Sequence, residues 1–584
     1  MAGTAAAVPR RPSVLFNKSP EAIEHNTRLL EKFDFDLERL LESNQGTTLS
    51  HGSEFGPVGS LALFLSDHPL FPYMSKVFTR GMDYSFHTEL SEEARVAELE
   101  AQIRRGNHKS AQDERDTVVE LLMKEVQHGF AIPIDGSVVP RMKGEMVQPC
   151  GVVTQMSLEE DGSRTEKKRL THDLSFSALV EGASVNDRVD KEQYPPMLYG
   201  WCLARVLHFV VHLRCRFPSR RIFIAKSDYS DAYRRLSHAG RAAASTIILF
   251  DGVAHVCVGL AFGGSPNPAC FCSFSETLTD LANDLAESPH CTPNLGVSPT
   301  VKPEHLVPRE YEVEGAPFGV GIPPAFEERT SATSRKDCFI DDIVNVFLDD
   351  GQGNLKEGHV VPLAIQAMSR PLASAEEEPL PRRPLLAPKK MAAEGRPSEV
   401  QVVLGWELDT RKLQVALPVD KFRAWSEDIE RIIRDGKASK EVLATAVGRL
   451  NHASYLIPLS RHFLSDLREK SAFRRDRKQV ARLSRSELGD LSLWVTFLEQ
   501  ARREISMNLL TERTPTHLAW SDSCPVGLGG YTLGGRAWRF KIPSDAPFLD
   551  VTKQTMFSSS WEWRCQSFYY WTKRRTTVSR VCSR

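Results

Sequence analysis

Apolar and polar positions alternate with different periods in successive stretches of the chain, and the period predicts the element. Residues 1–20 are rich in Ala, Pro and Arg without periodicity, which predicts a flexible tail. From about 21 to 128, charge alternates with sparse apolar positions, as in EARVAELEAQIRRGNHKSAQDERDTVVELLMKEVQHG. This predicts a mostly helical, solvated region with no chemistry of its own. Between 129 and 190 the pattern shortens into strands and turns. LYGWCLARVLHFVVHLRCRF then carries apolar residues at helical spacing, predicting a helix over about 197–215. RIFIAKSDYSDAY reads as a buried strand entering a turn and a short helix, and STIILFDGVAHVCVGLAFG as two strands joined at Asp251–Gly252, a hairpin signal. ACFCSFSETLTDLANDLAE predicts a helix, and DCFIDDIVNVFLD an apolar strand pair interrupted by two carboxylates. EVQVVLGWELDTRKLQVALP predicts two short strands and a turn, helices dominate from 420 to about 504, and a last β-pattern starts near 516. Two aperiodic stretches, 288–336 and 351–397, are rich in Pro and Glu and predict exposed insertions, the second with a helical piece near PLAIQAMS.

Composition adds mainly exclusions. Hydrophobic residues make up 41% and charged residues 26%, as in soluble globular chains. With 74 Lys+Arg against 75 Asp+Glu, the net charge of -1 points to no polyanionic partner, so a basic surface has to come from local clustering. The 11 cysteines form no CxxC pair, the nearest being Cys270 and Cys272, which excludes zinc-ligand spacing and predicts free thiols in a reducing compartment. MAGTAAAVPRRPSV lacks the apolar core of a signal peptide, and the longest apolar stretches carry His and Arg and are too short for a bilayer. The expectation is an intracellular protein, in cytoplasm or nucleus, without a membrane partner.

The chemistry enters with KSDYSDAYRRL and CFIDDIVNV. Each places acidic residues at the end of an apolar strand, and burying paired carboxylates there is unfavourable unless a cation neutralises them. Two such strands side by side make an oxygen-only site suited to Mg²⁺, and two ions can serve nucleotidyl transfer. Asp228, Asp341 and Asp342 are therefore candidate metal ligands and catalytic residues. Either segment alone also reads as a turn or a solvated strand edge.

Five blocks, these two among them, fall in order over residues 145–456, and together this stretch resembles the fingers and palm of a reverse transcriptase, particularly of DIRS-type and related retrotransposons. In KKRLTHDLSF and SVND, the resemblance puts Arg169 on the incoming triphosphate, with Asp173 and Asn186 organising the loop. In SDYSDAY it gives Asp228 the metal-ligand position, Asp231 and Ala232 the turn beneath the nucleotide, and Tyr233 the ring that excludes a 2′-hydroxyl. LAFGGSPNPACF resembles the glycine motif under the template–nucleotide pair through Gly263, Pro268 and Phe271, with Ala261 in place of a usual Pro. FIDD is similar to the aromatic-x-Asp-Asp signature, with Phe339 replacing the commoner Tyr. APKK implies Lys389 or Lys390 as an acid toward pyrophosphate, and VVLGWELD looks like the primer-grip hairpin through Leu404, Gly405 and Trp406. The implied fold is α+β: a right-hand polymerase of fingers, palm and thumb, followed by a partial ribonuclease H-like domain. The implied boundaries are 1–128 for the helical region, 129–415 for fingers and palm, 416–510 for a helical thumb or connection, and 511–584 for the last domain.

That last domain rests on LAWSDSCPVGLGGY, where Asp522 matches a ribonuclease H metal ligand, and on SSSWEWRC, where Glu562 would be the next. No Asp or Glu follows Glu562, so ribonuclease H activity is not expected. REKSAFRRDRKQVARLSR gathers Lys470, Arg474, Arg475, Arg477, Lys478, Arg482 and Arg485, either a phosphate-binding strip or a solvated helix face. The resemblance implies two Mg²⁺ or Mn²⁺ ions per site, dNTPs, and a template–primer duplex of RNA or DNA. Two other readings stand beside it. One is a degenerate retroelement-derived protein that binds nucleic acid without catalysis. The other is an RNA-dependent RNA polymerase, against which Tyr233 speaks, because a bulky ring under the sugar would reject ribonucleotides.

Overall fold

The computed structural model describes residues 8–159, 163–291, 303–313, 317–324, 332–457, 460–471, 479–512, 519–524 and 527–541. The class is α+β, with helices and small antiparallel sheets, divided into two compact units. The first comprises Met1–Val206, Ile222–Glu312 and Ala332–Ser398; the second comprises Leu207–Arg221, Val313–Ser331 and Glu399–Arg584. Among the described residues no helix is long and apolar enough to cross a membrane, and the described cysteines are unbridged.

The first unit opens with helices whose starts are written in the sequence. Ser19, Asp36 and Ser91 each accept a backbone N–H from the first turn of Pro20–Lys32, Leu37–Ser43 and Glu92–Arg105, satisfying donors that a helix start leaves unpaired. Among the described residues its strands are β1 (Ala131–Asp135), β2 (Cys150–Leu158), β3 (Arg164–His172), β4 (Ile222–Asp228), β5 (Ile247–Phe250), β6 (Val253–Cys257), β7 (Ser334–Phe339) and β8 (Asp342–Leu348). They form three antiparallel sheets, ordered β1-β6-β5, β2-β3 and β4-β8-β7. The β5–β6 turn falls on Asp251 and Gly252, both at positive φ (50° and 78°), as a tight two-residue hairpin requires.

Two cores explain why the early helices belong to this unit. Leu30, Leu40 and Leu99 pack with Ile132, Ile247 and Val256 of the first sheet. Phe55, Leu61 and Phe78 pack with Tyr229, Phe274 and Ile343, under the third sheet and the helices Asn267–Glu287 and Leu355–Met368. The latter helix is longer than the piece expected near PLAIQAMS and runs through Pro362. Proline inside a helix removes one ladder hydrogen bond, but Val360, Val361, Ala364, Ile365 and Met368 are all buried and hold the helix through it.

The second unit carries β9 (Val400–Val403), β10 (Trp406–Asp409), β11 (Gln414–Ala416), β12 (Lys437–Ser439), β13 (Val480–Arg482), β14 (Ile505–Ser506), β15 (Ala519–Cys524), β16 (Gly527–Thr532) and β17 (Ala537–Lys541). The expected two strands over 399–418 are three, in a four-stranded sheet ordered β14-β11-β10-β9. Asp409 accepts the Lys412 N–H (2.8 Å) and Leu413 adopts φ 57°, so TRKL makes a tight turn between β10 and β11. The helices Val419–Asp435, Lys440–Ala453 and Arg485–Arg502 follow, the last closed by a capping box of Ser484 and Glu487.

Candidate active site

The first three residues of β4, Ile222, Phe223 and Ile224, are fully buried, and the strand delivers Asp228 at its end. Register places Asp228 directly across from Asp342, the first residue of β8. Asp341 stands in the two-residue turn that joins β7 to β8, where Phe339 pairs with Asp342. Ile340 in that turn has φ 60°, a left-handed conformation that a β-branched residue rarely takes and that costs about 1–3 kcal/mol. The Tyr229 N–H donates to the Asp341 carbonyl (3.1 Å), tying the turn to the end of β4. The fold therefore brings Asp228 against Asp341 and Asp342, which lie more than a hundred residues later in the chain.

Their electrostatics follow from that crowding. Burial pushes Asp228 up to about 7 against the pull of Lys390, with Asp341 and Asp342 adding like charge. Burial, then Asp342, also raises Asp341, while Lys390 and Arg169 pull it down. Lys390 donates to Asp228 Oδ2 and lies 3.9 Å from Asp342 Oδ1. Burial disfavours its charge, but Asp228 and the other two acids hold it above the ordinary lysine range. Among the described residues no three His, Cys, Asp or Glu side chains converge as a finished metal cage; the Lys390 ammonium stands between Asp228 and Asp342. The donor set itself suits a hard divalent cation: it offers carboxylate oxygens only, and burial and like charge raise Asp228 and Asp341, an unfavourable crowding that a cation would relieve.

The residues around the acids take distinct places. Arg169 lies on β3 opposite Val153, exposed, and close enough to act on Asp341. Asp231 is left-handed (φ 54°) and accepts from Arg383 (2.8 Å). Ala232 is buried, and the Tyr233 ring meets Phe262 and Phe271 edge-on at 5.2 and 5.6 Å. Gly263 has φ 112°, and a Cβ there would come within 2.1 Å of the His172 carbonyl oxygen. Asn186 donates to the Gly263 carbonyl (2.8 Å) and accepts the Ser265 N–H (2.7 Å), fixing this loop from the side. Asp173 pairs with His108 at 3.0 Å. Pro268 and the fully buried Phe271 lie in the first turns of Asn267–Glu287, and Phe339 meets Tyr199 edge-on at 4.9 Å. Lys389 is turned to Glu159 at 2.9 Å and so is not the lysine at the acids.

In the second unit, Leu404 and Gly405 form the β9–β10 turn at φ 48° and 82°. Trp406 does not fit its expected role as a nucleic-acid contact. It is 1% exposed and stacks on His452 at 5.5 Å, so its ring is core and cannot reach a duplex. Of the expected basic strip, Arg474, Arg475, Arg477 and Lys478 lie outside the described residues, as does Glu562; Asp522 is placed in β15 by its backbone, opposite Gly529, and its side chain is outside the described set.

Two residues near the acids were not singled out by the sequence reading. Lys167, on β3, is lowered by burial and then by the like charges of Arg169, Arg383 and Lys390. Arg383 reaches Asp231 from a proline-rich run that sequence reading assigns to an insertion. The KKR triplet of 167–169 held the signal for the first; nothing local marks the second.

No family model matches the chain, and no curated protein matches it. Solved structures that resemble it include three of the foamy viral protease-reverse transcriptase. The one with an RNA/DNA hybrid is 13% identical with a TM-score of 0.38, covering 75% of this chain and 44% of that one. A dRH form with double-stranded DNA is 14% identical with a TM-score of 0.39, covering 84% and 69%. A complex with dsDNA is 13% identical with a TM-score of 0.37, covering 79% and 73%.

Proposed function

We propose that the chain is an RNA-directed DNA polymerase of a retrotransposon, adding deoxynucleotides to a primer on an RNA or DNA template. The observation that carries this reading is the register of Asp228 against Asp342, with Asp341 at the adjoining turn. In the proposed reaction Asp228, Asp341 and Asp342 hold two Mg²⁺ or Mn²⁺ ions. When bound, such ions supply activation of the primer hydroxyl and neutralisation of the leaving pyrophosphate. Arg169 binds the triphosphate. Lys390, kept protonated by its acidic neighbours, gives a proton to the departing pyrophosphate. Tyr233, braced by Phe262 and Phe271, occupies the space of a ribose 2′-hydroxyl. Fingers and palm correspond to 129–415, a thumb to 416–510 and a partial ribonuclease H-like domain to 511–584.

Primer extension tests the reading. The full chain with dNTPs and Mg²⁺ is expected to extend a primer on an RNA template, and Asp341→Asn to abolish extension. Equal activity in the variant removes the site assignment. A folded wild type that binds duplex without extending it points instead to a non-catalytic nucleic-acid-binding protein.

A further inference from the structure

The segment after residue 382 runs alongside the end of β4. Tyr229 bridges Leu386, the Ser230 N–H donates to the Leu385 carbonyl (2.8 Å), and the Ala387 N–H donates to the Asp228 carbonyl (3.0 Å). This register puts a cation at each end of one short run. Lys390 meets Asp228, and Arg383 meets Asp231 at 2.8 Å.

The run is fixed from behind by buried charges. Arg235 donates to the carbonyls of Arg383 (3.1 Å), Pro384 (2.9 Å) and Ser230 (2.6 Å). Arg235 and Arg382 both pair with Glu54, at 2.6 and 2.9 Å. The two arginine side chains are 2% and 5% exposed. Burial alone would raise Glu54, and the two guanidiniums hold it below the usual carboxylate range. Burying so much charge is unfavourable unless every group is paired, and here the pairing fixes the backbone that presents Arg383. Arg383 itself is half exposed, with Asp231 the one acceptor its guanidinium meets among the described residues. Further cations lie within electrostatic reach: Lys167 feels the like charges of Arg169, Arg383 and Lys390, partly offset by Asp231. Four cations gathered beside carboxylates make a setting for a ligand carrying several negative charges.

The geometry points to Arg383 as a direct ligand of the polyphosphate of the incoming nucleotide, a second guanidinium in addition to Arg169, parked on Asp231 when no nucleotide is bound. This rests on the polymerase reading, and it adds that Glu54 and Arg235 are positioning residues that hold the Arg383 backbone.

The test uses the full chain with Arg383→Ala and Arg383→Lys, first confirmed to melt as the wild type does. In primer extension, Arg383→Ala is expected to raise KM for dNTP about tenfold, the loss of one charge-assisted hydrogen-bonded contact, with kcat lowered less than KM is raised. Lysine restores the charge without the two-pronged fork, so its KM is expected between the two. An unchanged KM in Arg383→Ala overturns the proposal. A second arm measures equilibrium binding of dATP with Ca²⁺ in place of Mg²⁺. If the wild type binds dATP without extending a primer, the polymerase reading falls, and Arg383 stands or falls on whether its alanine variant binds about tenfold more weakly. Equal dATP binding by wild type and variant overturns the assignment, and a wild type that neither binds nor extends removes both.

Discussion

Gly263 shows how narrowly single positions around the acids are constrained. Its φ of 112° and the His172 carbonyl oxygen, 2.1 Å from where a Cβ would sit, leave no room for a side chain. Gly263→Ala is expected to cost about 3 kcal/mol, from left-handed strain plus a clash with fixed backbone; a denaturant midpoint unchanged from wild type would contradict this. Among the described residues Tyr233 is held by two rings rather than by a hydrogen bond, so Tyr233→Ala should fold. It is expected to reduce discrimination between dNTP and rNTP, read as the ratio of kcat/KM values, by at least about tenfold; unchanged discrimination would remove its proposed role against the 2′-hydroxyl. At this scale the acids were legible because each borders an apolar strand: Asp228 closes β4, and Asp341 and Asp342 stand at the start of β8. Arg383 was not, because its meaning comes from a partner 152 residues away and its own surroundings, PRRPLL, read as a loop. Trp406 differs from what the primer-grip resemblance implies because its ring is covered by His452, a packing partner that the local sequence does not reveal.

Elements join these residues through backbone groups as much as side chains. Glu98 is a case in a region whose sequence suggested only a solvated helix. It is fully buried, and its carboxylate accepts the N–H groups of Leu179 (2.9 Å) and Val180 (2.7 Å) as well as that of Ala178. It thereby fixes the connection between β3, which carries Arg169, and the short helix Val185–Arg188, which carries Asn186. Glu98→Ala leaves three donors without acceptors and is expected to destabilise by about 3–5 kcal/mol. Amide exchange would show the loss first at 178–180, and full protection there in the variant would speak against the clamp. Hairpins were readable where the turn is encoded locally, as at Asp251–Gly252. The pairing of β1 with β6 joins segments more than a hundred residues apart, and no local periodicity encodes it. β14 is two residues long, too short to leave a pattern at all.

The whole molecule carries an acid sensitivity that no single site reveals. His238 and His255 are buried and held neutral, down to about 3, chiefly by burial, and His172 is lowered by burial and by Arg234. Unfolding returns each to about 6.5, so below that pH the unfolded chain binds more protons than the folded one. Their contribution to stability is complete above about pH 6.5 and lost as pH falls toward 3, roughly 4 kcal/mol for each of His238 and His255. Chemical denaturation at pH 7.5 and 5 is expected to show a marked drop, reduced in a His255→Gln variant. A drop of the same size in that variant would exclude this histidine as a contributor. The Glu54 ion pairs bear on a practical matter at the same scale. Composition changes character near residue 129 and suggests starting a minimal expression fragment there. Such a fragment would lack Glu54 and Glu98, leaving Arg235 as a buried cation without its carboxylate, taking from Arg382 its closer acidic partner, and baring the apolar faces that Leu30, Leu99 and Phe78 cover. The smallest soluble piece with an assembled site has to keep the helices that precede it.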